Sequence, residues 1–531
     1  MSFIGQSFAY ARFAWQLRGF LRERATPERG TEIILERLRN RRSHFLSLMR
    51  RAVYENPQSP YHPLLRSAGC EYKDLERMVQ TDGIEATLQR LYASGVYVTI
   101  DEFKGRQDVV RGATTFRCQP DDFNNPLLLP GLGIGSSGSR GPRTRTTANL
   151  ERSAYHAYCQ AVMLRSHGLR DKPTVLWMPI LPSAAGMAML LQSSKMGTPP
   201  SRWFSPVAAR TVKPALAKRL ATLYAVYAGR AFGCPMPAPE YVSGEQVALV
   251  LEHVLRVLEH GDGCVLFTSP NSAVRLCHLA RETGHDLAGL SCRVGGEPLT
   301  PAKLAEIRSA GADAIVTFAF AEGGTVGLSC ADRRAPDDMH LLSGSTAAIQ
   351  HRRDTAFGSG SVDAFLFTSC FDRAPKILLN VESGDYGVIE DRDCTCEFGG
   401  LGLTRHIHTL RSFDKLTGEG MTFAGTDLVH LVEEVLPSRF GGSSIDYQMV
   451  EREDETGNTY LDVRVSPDIR AVDERELVQT VLSWLRKGGD TNRMMTEVWR
   501  ERDMVRVVRA RPHITAGGKL LPFEILRETR R

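Results

Sequence analysis

Between residues 150 and 320 the chain repeats one rhythm, a helix followed by a short apolar strand, and this alternation restricts the fold more than any other feature. LERSAYHAYCQAVMLRSHG reads as a helix and TVLWMPI as a buried strand. A helix around Val247 to Glu259 precedes CVLFTS, AVRLCHLARETG precedes LSCRVGG, and TPAKLAEIRSAG precedes DAIVTFAF. Strands joined through helices need crossover connections, which gives α/β architecture with a substantial parallel sheet. The flanks differ. Residues 31 to 55 place Ile34, Leu35, Leu38, Phe45, Leu48 and Met49 at largely helical spacing, so the chain opens with helices. Beyond about Asp332 the pattern turns strand-rich, with AFLFTSC, KILLNV and YGVIED. From Arg411 a final α+β unit mixes a helix at Asp427 to Val435, strands YQMVERE and YLDVRVS, and a helix near Glu474 to Arg486.

Several classes are set aside by composition. The charge-free run between Lys172 and Lys195 is long enough to suggest a membrane span, but Pro179, Pro182 and Gly186 break it, so no transmembrane helix is expected. A net charge of +5 arises from 66 basic and 61 acidic residues without a lysine-rich tail, which does not imply nucleic acid. Eleven cysteines, an odd number with no secretory signal, suggest free thiols or metal ligands in a reducing, cytoplasmic setting. The first 22 residues lack acids and mix Phe3, Phe8, Phe13, Trp15 and Phe20 with Arg12, Arg18 and Arg22. They read as a helix capping the domain with its aromatic face; weak membrane contact is the other reading.

Five stretches carry chemistry. Gly131 to Arg145, GLGIGSSGSRGPRTR, joins small residues and hydroxyls to Arg140, Arg143 and Arg145, a composition that suits a phosphate cradle and equally a surface turn. Val294 to Leu299, VGGEPL, lies at a strand end, where ligands of open α/β sheets bind. TFAFAEGG places Glu322 just past the next strand tip, where a carboxylate can hold Mg²⁺ opposite phosphates or simply start a helix. SGDYG reads as a turn presenting Asp385, able to accept from a ribose diol. TAGGKLL puts Lys519, one of only eleven lysines, on a glycine loop in the last unit.

Taken in order, a phosphate loop, GGEP, an aromatic strand ending in Glu, a GD turn, a hinge and a glycine-lysine loop resemble the adenylate-forming acyl ligases. Within that superfamily the chain is most similar to the phenylacetate–CoA ligase branch and its acyl-protein synthetase relatives, from about Arg41 to Lys519, including NPQSPYHPLLRSAG. The resemblance implies a large N-terminal adenylation domain with mixed and parallel sheets over residues 1–410, comprising a helical segment 1–125 and an ATP- and acid-binding core 126–410. A small mobile α+β lid over 411–531 would follow. Ser136, Ser137, Gly138, Ser139 and Gly141 would face the ATP phosphates, with Arg143 at the usual lysine position if one residue is missing. Gly295, Gly296, Glu297 and Pro298 match the adenine-side loop, Phe318 would stack on adenine, Glu322 matches the magnesium-linked glutamate, and Asp385 the ribose aspartate. Arg411 marks the hinge and Lys519 would close over the acyl phosphate. Cys330, His340, Cys394 and Cys396 match a Cys, His and CxC set in that branch, which implies a structural Zn²⁺.

The implied reaction joins a carboxylic acid to ATP, gives an acyl adenylate, and transfers the acyl group to a thiol on coenzyme A or an acyl carrier protein. An apolar pocket near Trp177, Phe267 and Phe320 suits an aryl or fatty acid. Ala321, Phe318 and Phe413 depart from the usual residues, so a non-catalytic adenylate-binding scaffold stays as a rival. A homodimer is left open.

Overall fold

The computed structural model describes residue 13 and residues 15–128, 132–135, 145–181, 183–206, 215–242, 246–296, 298–299, 301–354, 361–412, 415–418, 421–424, 431–442, 446–453, 459–486, 490–512 and 523–525. Twelve strands form one mixed sheet: β1 (Thr174–Trp177), β2 (Trp203–Ser205), β3 (Pro239–Tyr241), β4 (Cys264–Thr268), β5 (Leu290–Gly295), β6 (Asp313–Phe320), β7 (Gly324–Ser329), β8 (Met339–Leu341), β9 (Thr346–Asp354), β10 (Ser361–Ser369), β11 (Val381–Asp391) and β12 (Arg405–Ser412). Their order is β9-β10-β11-β12-β8-β7-β6-β5-β4-β1-β2-β3. From β3 to β6 every neighbouring pair is parallel, and from β6 to β9 every pair is antiparallel. The helix–strand rhythm thus gives the parallel half, and the strand-rich stretch after Asp332 gives the antiparallel half.

Helices pack the sheet. Those that bear on the site are α1 (Ile100–Phe103), α2 (Leu150–Ser166), α3 (Ala184–Met196), α4 (Pro270–Glu282) and α5 (Pro301–Ser309). β4 is buried at all five positions, as a central parallel strand covered on both faces should be. α2 has little amphipathic character because it is buried on nearly every side, and its N-terminus is capped by Asn149, whose side chain accepts from the N–H groups of Glu151 and Arg152.

The sheet curls strongly. Flat, β6 and β10 would lie five strand spacings apart, about 24 Å. Yet Phe320 of β6 and Phe367 of β10 have ring centroids 4.9 Å apart, and Phe318 lies 6.0 Å from Phe367. The antiparallel half therefore folds back over the tips of the parallel half.

A separate four-stranded sheet comprises β13 (Tyr447–Glu453), β14 (Thr459–Val465), β15 (Val505–Arg509) and β16 (Phe523–Ile525), in the order β15-β14-β13-β16. Tyr447, Met449, Leu461, Val463 and Val465 alternate along the central pair and bury against Leu477, Val481, Leu485, Val498 and Trp499 of the two helices that follow β14. No described helix is long and apolar enough to cross a membrane.

Two sequence readings need correction. KILLNV is not a strand, because its backbone bonds go elsewhere. The Ile377 N–H donates to Phe123 O, Leu378 N–H to Ser369 Oγ, Leu379 N–H to Tyr61 Oη and Asn380 N–H to Thr368 Oγ1. TVLWMPI is a strand only over Thr174–Trp177. Of the helix placed at Asp427 to Val435, residues 427–430 lie outside the described residues, and a single π-turn covers Leu431–Val435.

Candidate active site and metal centre

The tips of β5 and β6 gather the first group of residues. A Cβ on Gly295 would meet Thr317 O at 2.8 Å, and Gly296 has φ +85°, so both positions favour glycine and leave the backbone open at the strand end. Pro298 follows, partly buried, its carbonyl 3.5 Å from Lys303 Nζ. β6 runs parallel to β5 up to Thr317, and its pairing with β7 shifts register between Phe318 and Ala319. Such a bulge re-aims the side chains beyond it. Phe318 is partly buried against Phe320 and Phe367, and Glu322 follows the tip.

Glu322 is met by Lys104, whose Nζ donates to its Oε1 at 2.8 Å with both side chains about nine-tenths covered. Lys104 caps the C-terminus of α1, a helix started by a Thr99–Glu102 capping box and tied to β11 by the Ile100 N–H, which donates to Glu382 Oε2. The helical N-terminal segment thereby delivers a cation to the tip of β6. Lys376, wholly buried, donates to Pro120 O at 2.5 Å and to Asn124 Oδ1 at 2.7 Å. Burial pulls its pKa down to about 8, opposed by Asp121 and Glu322. The sequence reading missed both lysines; their scarcity in the chain was the available signal, but nothing local pointed to Glu322.

Asp385 does not sit on a turn. It lies within β11, opposite Ser412 of β12, and Arg411 pairs with Tyr386 one position away, so these two predicted residues share one stretch of ladder. Gly384, at φ +87°, and a register shift between Tyr386 and Val388 kink the strand there; the glycines that looked like a turn make a bulged strand. Arg411 Nη1 donates to Leu410 O and stands 3.9 Å from Asp337 Oδ2.

Away from the tips, four predicted metal ligands converge. Cys330 Sγ lies 3.8 Å from both Cys394 Sγ and Cys396 Sγ, and the latter two are 3.2 Å apart. His340 Nε2 is 3.0 Å from Cys396 Sγ and 3.4 Å from Cys394 Sγ, while its Nδ1 pairs with Leu403 O at 2.6 Å. Zn–S bonds of about 2.3 Å in a tetrahedron imply S···S edges near 3.8 Å. The donor set therefore fits a tetrahedral soft-ligand metal, with Nδ1–H donating to the carbonyl and Nε2 presented inward. The Cys396 thiol is pushed down by the hydrogen bond from Cys330, despite burial, and by His340, favouring a thiolate. His406 adds a fifth donor that the sequence reading missed. Its ring centroid is 4.1 Å from that of His340, its Nδ1 pairs with Asp338 Oδ1 at 2.8 Å, and its buried Nε2 has no hydrogen-bond partner. Cys330, His340, Cys394 and His406 present donor atoms all within 4.8 Å. Cys396 approaches the other two thiols and His340 more closely still, which makes it the better fourth ligand.

Ser136, Ser137, Gly138, Ser139, Gly141, Arg143, Glu297, Phe413 and Lys519 lie outside the described residues. The strands Leu132–Gly135 and Arg145–Ala148 that flank the phosphate-loop segment pair antiparallel as a hairpin.

No protein-family model matches the chain, and no curated protein matches it. Solved structures do. The chain is similar to 2-hydroxyisobutyryl-CoA ligase in complex with 2-HIB-AMP and CoA, with a TM-score of 0.56 and 14% identity over 93% of this chain and 90% of that one. It also matches o-succinylbenzoate CoA synthetase from Bacillus subtilis (TM-score 0.40, 13% identity, 74% and 68% covered) and an amide bond synthetase from Marinactinospora thermotolerans (TM-score 0.39, 15% identity, 90% and 92% covered). The chain has the fold of the adenylate-forming acyl ligases.

Proposed function

We propose that the chain activates a carboxylic acid with an apolar body, aryl or fatty, as its adenylate and passes the acyl group to a thiol, with coenzyme A the first candidate acceptor. In this reading the chain is of the phenylacetate–CoA ligase-like type and works in the cytoplasm. The observation that carries this reading is the bulged Phe318–Glu322 tip beside the open Gly295–Gly296 strand end, with the antiparallel half curled over it. In this reading residues 1–410 form the catalytic body and 411–531 the lid.

The substrate carboxylate attacks the α-phosphorus of ATP; one P–O bond forms, another breaks, and pyrophosphate leaves. The thiol then adds to the acyl carbon and AMP leaves. Ser136 to Gly141 and Arg143 hold the β and γ phosphates, Phe318 backs the adenine and Asp385 takes the ribose. Lys519 stabilises the charge developing between acid and phosphate. Glu322 would be the chain's ligand for Mg²⁺, which would offset phosphate charge when bound. A nearly covered carboxylate at the strand tip suits that ion, and Lys104 pairs with it meanwhile. Arg411 stands at the pivot between body and lid. The Cys330, His340, Cys394 and Cys396 cluster would hold Zn²⁺ and so staple the segment from Cys330 to β8 to the loop before β12.

Pyrophosphate exchange into ATP over a panel of acids tests the reading. Exchange should depend on the acid and fall by about 100-fold or more in Lys519→Ala. Normal exchange in that variant refutes the lysine's role; no exchange with any acid, in folded protein, leaves the scaffold reading. Metal analysis should find one zinc per chain, lost in Cys394→Ser.

A further inference from the structure

A column of polar side chains runs through the interior beneath the strand tips. Arg152, His156 and Gln160 are spaced four residues apart on one face of α2, a helix buried from Tyr155 to Leu164. Gln160, fully buried, donates to Gln192 Oε1 at 2.7 Å and accepts from Arg293 Nη1 at 3.0 Å. Arg293 lies on β5 two residues before Gly295 and is 3% exposed. Its Nε donates to Thr317 Oγ1 at 3.3 Å, and its guanidinium sits 4.8 Å from the Phe267 ring centroid.

Among the described residues neither arginine has an anion. Arg293 Nη2 and Arg152 Nη1 are buried without a hydrogen-bond partner, and among the described residues no carboxylate pairs with either. Burial pulls Arg293 down to about 9 and Arg152 to about 10, so both stay charged at neutral pH. His156, between them, is pushed to about 3, by burial first and then by Arg152, and is neutral. Three other buried networks are matched in charge: Glu102 with Arg111, Asp338 with Arg392 and His406, and Glu382 with His351 and Arg353. A cation this deep with only neutral hydrogen-bond partners carries an uncompensated desolvation cost unless an anion arrives.

The column is also within reach of the site. Arg152 Nη1 lies 3.1 Å from where a Cβ on Gly324 would stand, two residues past Glu322. Thr317, which accepts from Arg293, is only partly buried and precedes Phe318. Arg293 thus lies one side chain below the open tips, on the same sheet face as Phe267.

We infer that this column binds a second anionic group of the acid substrate: the acid is a dicarboxylate whose distal carboxylate pairs with Arg293. This rests on the acid-activating reading above, and two measurements separate the two claims. In thermal unfolding of the intact chain without nucleotide, α,ω-dicarboxylates of four to ten carbons should raise the midpoint, while monocarboxylates of equal length and inorganic phosphate should not. No shift with any dicarboxylate, or an equal shift with phosphate, overturns the inference. In pyrophosphate exchange, the best dicarboxylate should exceed its monocarboxylate counterpart by on the order of 100-fold, since a site built around a buried polar group rejects the analogue lacking it. Arg293→Met should abolish the thermal shift and bring that ratio close to one, and Arg293→Lys should keep part of both. Exchange driven best by monocarboxylates overturns the inference and keeps the ligase; stabilisation by dicarboxylates without exchange for any acid keeps the site and overturns the ligase. The wild-type comparisons decide the matter even if a variant fails to fold.

Discussion

Glu382 and Arg293 are charges buried to similar depth on strands of one sheet, and the fold treats them in opposite ways. The Glu382 carboxylate is completely covered; His351 Nε2 donates to it at 2.8 Å, Arg353 pairs with it, and the Ile100 N–H donates at 3.0 Å. Burial alone would raise its pKa, but those hydrogen bonds and the Arg353 charge outweigh it and hold the carboxylate below its usual range. Arg293 has a glutamine, a threonine hydroxyl and an aromatic face. The first cluster is complete within the chain and locks the N-terminal helices to β11. The second is incomplete, and incompleteness of that kind is what a ligand-binding group shows before its ligand arrives.

The contrast can be broken by measurement. Glu382→Ala removes the carboxylate shared by His351, Arg353 and the Ile100 N–H, leaves Arg353 only Asp101, and should cost about 3–5 kcal/mol in urea unfolding. A loss below about 1 kcal/mol would mean that this network is no more finished than the other. His156 sharpens the second cluster. Its folded pKa of about 3 lies below the unfolded value near 6.5, so its contribution is complete above pH 6.5 and fades as pH falls toward 3. Between pH 7 and pH 5 the wild type should lose about 2 kcal/mol more than His156→Gln; parallel curves would place a charge on His156 and undo its neutral role. The smallest effect belongs to Arg293→Met. Replacing an unmatched buried cation with an apolar chain should change ligand-free stability by less than about 1 kcal/mol, or raise it. A loss of about 3 kcal/mol or more would show that Arg293 already has its counter-charge.

Much of the frame was legible from local patterning. The parallel half of the sheet follows from alternating helices and buried apolar strands, and each of CVLFTS, LSCRVGG and DAIVTFAF is found as a strand. The Cys330, His340, Cys394 and Cys396 set was legible only through family likeness, since 64 residues separate Cys330 from Cys394 while their sulfurs lie 3.8 Å apart. Glycine misled at SGDYG, where Gly384 serves a bulged strand rather than a turn. KILLNV misled because its short apolar run suits a strand, yet it bonds to Tyr61 and Phe123 in the N-terminal segment.

The sequence by itself determined the order of elements and the positions of the glycine-rich strand ends, because hydrophobic period and backbone freedom are properties of neighbouring residues. Tertiary structure decided which charges meet. Lys104 reaches Glu322 across 218 positions, Gln160 reaches Arg293 across 133, and Phe367 arrives over Phe320 only because the sheet curls. A charge buried with its partner and one buried without look alike along the chain. The energy that separates them depends on distances that only folding sets.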